Sequence, residues 1–345
     1  MNVFLLKKNM IGSQNYKKSY FTITNNGTAA AKMKFTNSIS FMYSTDGYTW
    51  ASATEIQIGA NVSVRISANL IGTRSKTISI SKANTALADT PIISVSGNIM
   101  SLIYGDDFEN QTNLTVDLKL LFSSMEYLID ASKLVLPATT LINYAYHGMF
   151  SGCKNLKYAP EVLPASNGSS YCYQKMFFDC ANLEYTPMIS LINGDAGAYQ
   201  CESMFYGCKK IEQIDIYSAI ESTGRTAALD NMLVGCNNLK RVNLYADSLN
   251  TNCYSYIFGL NNPPNNITIY IHATSGAFID TVNKYFSQWK NFTNKEYINI
   301  RLNNSQNTEL TSFAEALGAQ LNDCGFNNIT YLTTAPIIKP PVTSV

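Results

Sequence analysis

The chain has 345 residues, 46% of them apolar and only 14% charged, with 25 basic side chains against 24 acidic. That length allows two or three domains with sizeable cores. The balanced charge excludes the basic surface that displaces phosphate counterions in non-specific nucleic-acid binding, and the scarcity of charge points to strands and loops rather than long solvent-facing helices.

The first residues, "MNVFLLKKNMIG", hold a short apolar stretch from Val3 to Leu6, and the lysines follow it. A secretory signal has the reverse order and a longer apolar region. The expectation is a chain not exported by the usual route and not inserted in a membrane.

Residues 1–97 read as a β-domain. Ile56 and Ile58, then Val62, Val64 and Ile66, alternate along "EIQIGANVSVRIS", and Ile78, Ile80, Ile93 and Val95 repeat the pattern. Period-two apolar runs separated by turn residues predict antiparallel strands with one buried face. "STDGYTW" places Asp46-Gly47 at a tight turn. Several short strands over this length predict a small immunoglobulin-like β-sandwich, with Trp50 as its core aromatic.

Residues 98–272 are repetitive. "MFSGCKNL", "MFFDCANL", "MFYGCKKI" and "MLVGCNNL" begin at Met149, Met176, Met204 and Met232, which are 27, 28 and 28 residues apart. A worn copy precedes them at Leu121-Phe122, and a degenerate one follows at Ile257-Phe258. A period of roughly 20 to 29 residues with recurring Leu is the mark of a leucine-rich-repeat solenoid, here of about five to six coils. One coil cannot bury its own apolar face, so stacked coils turn each slot into a ladder. Phe150, Phe177, Phe205, Leu233 and Phe258 form one ladder, and Cys153, Cys180, Cys208 and Cys236 a second. Leu156, Leu183, Ile211 and Leu239 form a third, and Gly152, Gly207, Gly235 and Gly259, with Asp179 in one coil, mark a turn. In "LKRVNL", Leu239, Val242 and Leu244 are expected inward and Lys240, Arg241 and Asn243 outward.

Residues 273–345 read as a small α+β cap. Phe278, Val282, Tyr285, Phe286 and Trp289 have helical spacing, as do Leu310, Phe313, Ala314, Leu317 and Leu321, with Gly325 as C-cap. "EYINIRL" between them reads as a strand, and the tail "APIIKPPVTSV" as an extended segment. The fold class is therefore mainly β with an α/β solenoid.

Chemistry-bearing patterns are few. His147 and His272 are the two histidines, and neither has metalloprotease spacing. Asp106, Asp107 and Glu109 form the strongest acidic group, read as a turn with calcium binding as the alternative. The eight cysteines lack the close pairs of zinc sites. Four recur in core slots, while Cys172, Cys201 and Cys253 lie upstream in a second set. Buried free thiols are expected, although strand spacing alone does not forbid disulfides. No cofactor is expected and the chain reads as no enzyme.

The segments "CYQKMFFDCANL" and "CESMFYGCKKI", with "LPATTL" from Leu136 and "NIMSLIYGDDF" from Asn98, resemble the BspA-like leucine-rich-repeat family. The resemblance covers about residues 40 to 272. It implies a non-enzymatic surface or adhesion protein, similar to cell-surface proteins of gut Bacteroidales and to proteins of their phages. With no export signal in view, a phage virion-associated protein (fibre, decoration or adhesion component), outside the cell after lysis, is the first expectation. A bacterial cell-surface adhesin is the alternative. The partners expected are other virion proteins or a host-surface protein or glycan; homo-oligomerisation stays open. After each ladder Leu or Ile the outward pair changes from coil to coil, and Tyr158, Tyr185, Gln213 and Arg241 are the candidate contact stripe.

Overall fold

The computed structural model describes residues 19–73, 76–85, 89–165, 168–192, 199–219, 228–246, 254, 256–273, 288–303 and 308–332. Cys253, the Pro-rich tail and the expected helix around Phe278, Val282, Tyr285 and Phe286 lie outside them.

The N-terminal part holds β1 (Phe21–Asn25), β2 (Ala31–Phe35), β3 (Phe41–Ser44), β4 (Ala51–Ala53), β5 (Glu55–Ile58), β6 (Val62–Ser67), β7 (Ile78–Lys82) and β8 (Ile93–Asn98). They pair antiparallel in two sheets, ordered β8-β1-β6-β3-β4 and β5-β2-β7. Alternation sends Phe21, Ile23, Met33, Phe35, Ile58, Ile66 and Val95 into one buried cluster, as period-two side-chain geometry requires. Gly47 takes a φ of 86° at the expected turn. The Asp46 carboxylate there accepts the N–H groups of Tyr48 and Thr49 at 2.8 and 2.7 Å. These bonds hold its carboxyl below the usual range. Trp50 is not in the sheet core. It is half-buried, its ring 4.7 Å from that of Tyr20 at the junction with Phe108.

A short helix α1 (Ser101–Tyr104) leads out of β8, and β9 (Leu128–Asp130) and β10 (Leu134–Val135) return to pair parallel with it. The first sheet thus runs from the N-terminal part into the repeats. Seven strands then stack in chain order into one parallel sheet: β11 (Val162–Leu163), β12 (Met188–Ile192), β13 (Gln213–Ala219), β14 (Arg241–Ala246), β15 (Ile267–Ala273), β16 (Ile298–Asn303) and β17 (Ile329–Leu332). One strand per coil, each beside the next, is a solenoid-like arrangement. Helix α2 (Thr308–Asp323) packs Ala314, Leu317 and Leu321 inward. It ends where the Phe326 N–H donates to the Leu321 carbonyl at 3.0 Å around Gly325, whose φ is 92°.

The ladders are stacked side chains. Phe122, Phe150, Phe177 and Phe205 are fully buried, with ring centroids 5.1, 5.3 and 5.4 Å apart, and Phe21 of β1 extends the row toward the N-terminal sheets at 5.8 Å. At the far end Trp289 closes over Phe258 at 6.3 Å. Leu239, Val242 and Leu244 are inward as expected, each 1% exposed. Each ladder thiol donates to a phenylalanine carbonyl one coil back: Cys153 to Phe122, Cys180 to Phe150, Cys208 to Phe177 and Cys236 to Phe205, at 2.9 to 3.2 Å. Burial pushes the Cys153 and Cys236 thiols up to about 12. The six cysteines buried among the described residues should therefore resist alkylation in the native protein, while all eight thiols react after denaturation. A count well below eight under non-reducing conditions would show disulfides in place of the thiol ladder.

The turn side of the coils explains their sequence. Alternate N–H groups donate to the next coil, Tyr146 to Cys172, Gly148 to Gln174, Phe150 to Met176 and Gly152 to Phe178, at 2.7 to 2.9 Å. The N–H groups between them close turns within the coil, as Met149 does on Tyr146 and Ser151 on Gly148. All these backbone donors are satisfied without a helix. The winding places every fourth residue in the left-handed region: Tyr144, Gly148 and Gly152, then Tyr171, Lys175 and Asp179, then Tyr199, Ser203 and Gly207. At Gly207 any larger residue would also drive its Cβ into the carboxylate of Asp179.

Candidate functional site

The candidate stripe lies on the strand side. Tyr158 and Tyr185 face each other as neighbouring parallel bridge residues, rings stacked at 4.8 Å and 16°. Gln213 and Arg241 are register partners in β13 and β14. The four residues form two pairs. β12 meets β13 at Ile189–Ile216, and counting that register back sets Gln213 beside Thr186, one residue from Tyr185.

Charges fill the slot before the stripe. The Lys157 ammonium lies 3.3 Å from the Glu184 carboxylate and 5.3 Å from the Tyr158 ring, and Lys240 lies 2.8 Å from Glu212. Lys210 adds a 3.9 Å pairing with Glu184. These exposed pairs orient the row and contribute little to stability. Tyr185 is 42% exposed and Gln213 is exposed, so both are open to a partner. Arg241 is half-buried, its guanidinium 4.5 Å from the Tyr270 ring centroid, a cation–π arrangement that fixes its direction.

Asn243 departs from its expected outward exposure. Its phase along β14 is outward, yet it is 4% exposed, and its carboxamide donates to the Asp215 carboxylate in β13. Burial raises the Asp215 carboxyl above the usual range, with the Asn243 bond and the Arg241 charge opposing. Asp215, Asn243 and Arg241 thus form a connected polar set beneath Tyr270.

Farther along, the slots break down. The thiol and leucine slots are not repeated after Phe258, and a groove of about 340 Å³ lies there, lined by Val234, Phe258, Asn261 and Pro264.

The acidic group lies on a turn after α1. Asp106 accepts the Tyr20 hydroxyl at 2.9 Å. Burial, then this bond, pushes the Tyr20 hydroxyl up to about 12. Among the described residues, no group of three or more His, Cys, Asp or Glu is placed to hold a metal ion. No helix among them is long and apolar enough to cross a membrane.

His147 belongs to a row on the turn side, two residues before each Met slot: Lys119, His147, Gln174, Glu202 and Asp230. The Gln174 carboxamide donates to Glu202 at 2.5 Å. Burial, with the Glu202 charge beside it, raises the Asp230 carboxyl to about 6. A raised folded-state value favours the protonated form. That contribution is present below the unfolded carboxylate range and lost as pH rises through about 6. Asp230→Asn should therefore stabilise the protein above that pH by about 1 kcal/mol, after allowance for solvent screening, and change nothing below about pH 4. Thermal midpoints across this range test it; an equal shift at every pH would assign the effect to packing.

Beside that row stands a feature the strand-side reading missed. Tyr144, Tyr171 and Tyr199 stack at 4.8 and 5.4 Å, nearly parallel at 5° and 8°. Its signal was present: each tyrosine precedes its Met slot by five residues. No family model, curated protein or solved structure matches the chain.

Proposed function

We propose that this chain is a non-catalytic structural and recognition protein, a virion-associated component of a phage of fibre, decoration or adhesion type. In this reading an immunoglobulin-like sandwich carries a leucine-rich-repeat solenoid of about five to six coils, closed by a small α+β cap. The surface it displays engages other virion proteins or a host-surface protein or glycan. The observation that carries the reading is the contrast between slots. Core positions repeat phenylalanine, thiol and leucine, whereas the outward row changes from Tyr158 and Tyr185 to Gln213 and Arg241. Constant core with variable exposed chemistry is how a solenoid builds a binding surface, and Tyr and Arg supply much of interface energy.

Thiol chemistry supports folding in a reducing compartment, as inside a cell. Four ladder thiols act as S–H donors in the core, a use suited to a reducing compartment. The same outward row also suits a bacterial cell-surface adhesin of BspA-like type. Mass spectrometry of purified virions and of outer-membrane fractions decides between the two. Recovery with virions is expected, and recovery only with the membrane fraction would transfer the reading to the adhesin. The double variant Tyr185→Ala, Arg241→Ala should keep the fold, because neither side chain fills a ladder slot, with some stability lost where Asp215 and Tyr270 lose the Arg241 charge; it should weaken attachment by about 1–2 kcal/mol for each true hot spot. Turnover of glycan, peptide or ester substrates that vanishes on mutating Asp106, Asp107 or Glu109 would overturn the non-catalytic reading.

A further inference from the structure

The turn side carries three tyrosines in a conformation that tyrosine disfavours. Their φ angles are 60°, 61° and 63° for Tyr144, Tyr171 and Tyr199. A bulky side chain in the left-handed region is a steric outlier. The other left-handed slots of the same coils hold Gly148, Gly152, Asp179, Ser203 and Gly207, all small or short, with Lys175 as the exception. Burial does not explain the choice, because Tyr144 and Tyr199 are 40% and 37% exposed. Ring stacking offsets part of the strain. It supplies no reason to place aromatic rings at a left-handed slot that is exposed or half-buried in three successive coils. Strain kept at an exposed position is a pointer to function.

The surroundings indicate a ligand class. The Lys119 ammonium caps the first ring at 5.9 Å, and the His147 imidazole meets Tyr144 edge-on at 5.6 Å. Gln174 and Glu202 continue the polar row one and two coils on. Phenol, imidazole, carboxamide and carboxylate groups side by side offer hydrogen bonds of both senses along ring edges. That suits a polyol. Lys119 and Lys175 at one end of the row balance Glu202 and Asp230 at the other, so the face favours neither a polyanion nor a polycation.

Spacing narrows the class. The rings advance 4.8 and 5.4 Å per coil. An extended peptide advances about 3.3 Å per residue, so its same-face side chains recur roughly every 6.6 Å and fall out of step with the coils. A β-1,4-linked pyranose chain advances by close to one coil per sugar.

We propose that Tyr144, Tyr171 and Tyr199, with His147, Gln174 and Glu202 beside them, form a second binding face that takes a linear neutral glycan along the solenoid axis, one sugar per coil. This face is separate from the strand-side stripe and stands or falls independently of it.

The test uses the full chain and neutral β-1,4-linked glucose and N-acetylglucosamine oligosaccharides of increasing length, titrated by calorimetry. Affinity should rise with each added sugar until the three rings are spanned, then level off. Tyr171→Gly should lower affinity at least tenfold while the thermal midpoint holds or rises, because the variant relieves a left-handed tyrosine. Tyr171→Asn, also suited to that backbone, should show the same loss. The variant Tyr185→Ala, Arg241→Ala should keep full glycan affinity, which separates this face from the strand-side stripe. Absence of binding across the series, affinity independent of length, or Tyr171→Gly binding as the parent does would each overturn the proposal.

Discussion

Phe177→Ala is expected to lower the unfolding free energy by about 3–5 kcal/mol, the range for deleting a buried aromatic and leaving a cavity. Phe177 is fully buried and stacks on both sides, 5.3 Å from Phe150 and 5.4 Å from Phe205. Its loss removes two ring contacts as well as the transfer free energy. The Cys208 thiol also donates to the Phe177 carbonyl at 3.1 Å, so collapse into the cavity would disturb the thiol ladder too. In a solenoid the damage is felt first by the neighbouring coils. Hydrogen exchange should therefore accelerate in β12 and β13 before β16 and β17. Urea denaturation gives the magnitude. A loss below about 1 kcal/mol would mean the aromatic row is not the core it is taken for.

Asp117→Ala should cost about 2–3 kcal/mol, whereas Lys76→Met should be close to neutral. The Lys76 residue is only 3% exposed and its ammonium lies 3.4 Å from the Asp117 carboxylate, which is 26% exposed. Removing the carboxylate leaves a buried cation without its partner. Removing the cation leaves an acid that water can still reach, so the two single changes are unequal. The expected cost is below that of a fully buried pair because Asp117 retains some solvent. The pair bridges the segment before β7 and the start of the repeats, beside the bond from the Ile78 N–H to the Leu121 carbonyl at 2.7 Å. A double-mutant cycle with urea denaturation measures the coupling. If Lys76→Met proves as damaging as Asp117→Ala, the lysine stem is needed for packing and the ion-pair account fails.

The candidate surfaces differ in how far they could be read ahead of the fold. The outward positions Tyr158, Tyr185, Gln213 and Arg241 follow from counting after each ladder residue. Their grouping into two pairs does not, because it depends on the Ile189–Ile216 register between coils. Asn243 shows the same limit. Alternation makes it outward, and only the neighbouring strands, with Asp215 on one side and Tyr270 on the other, bury it. The tyrosine row has a regular spacing in the chain, but nothing local announces that its backbone is left-handed.

By itself the sequence determined the ladders, the strand alternation and the inward face of α2. Each is a local period, repeated because stacking or pleating demands one side-chain type at one slot. Tertiary structure alone decided which slots meet. It joined β8 to β9 and β10, carried the parallel sheet on into β16 and β17, moved Trp50 from the core to a junction, and left Tyr144, Tyr171 and Tyr199 strained on the surface. Those outcomes depend on register and winding between segments some 28 or more residues apart. Backbone hydrogen bonds between coils set that register, and no single segment contains both ends of such a bond.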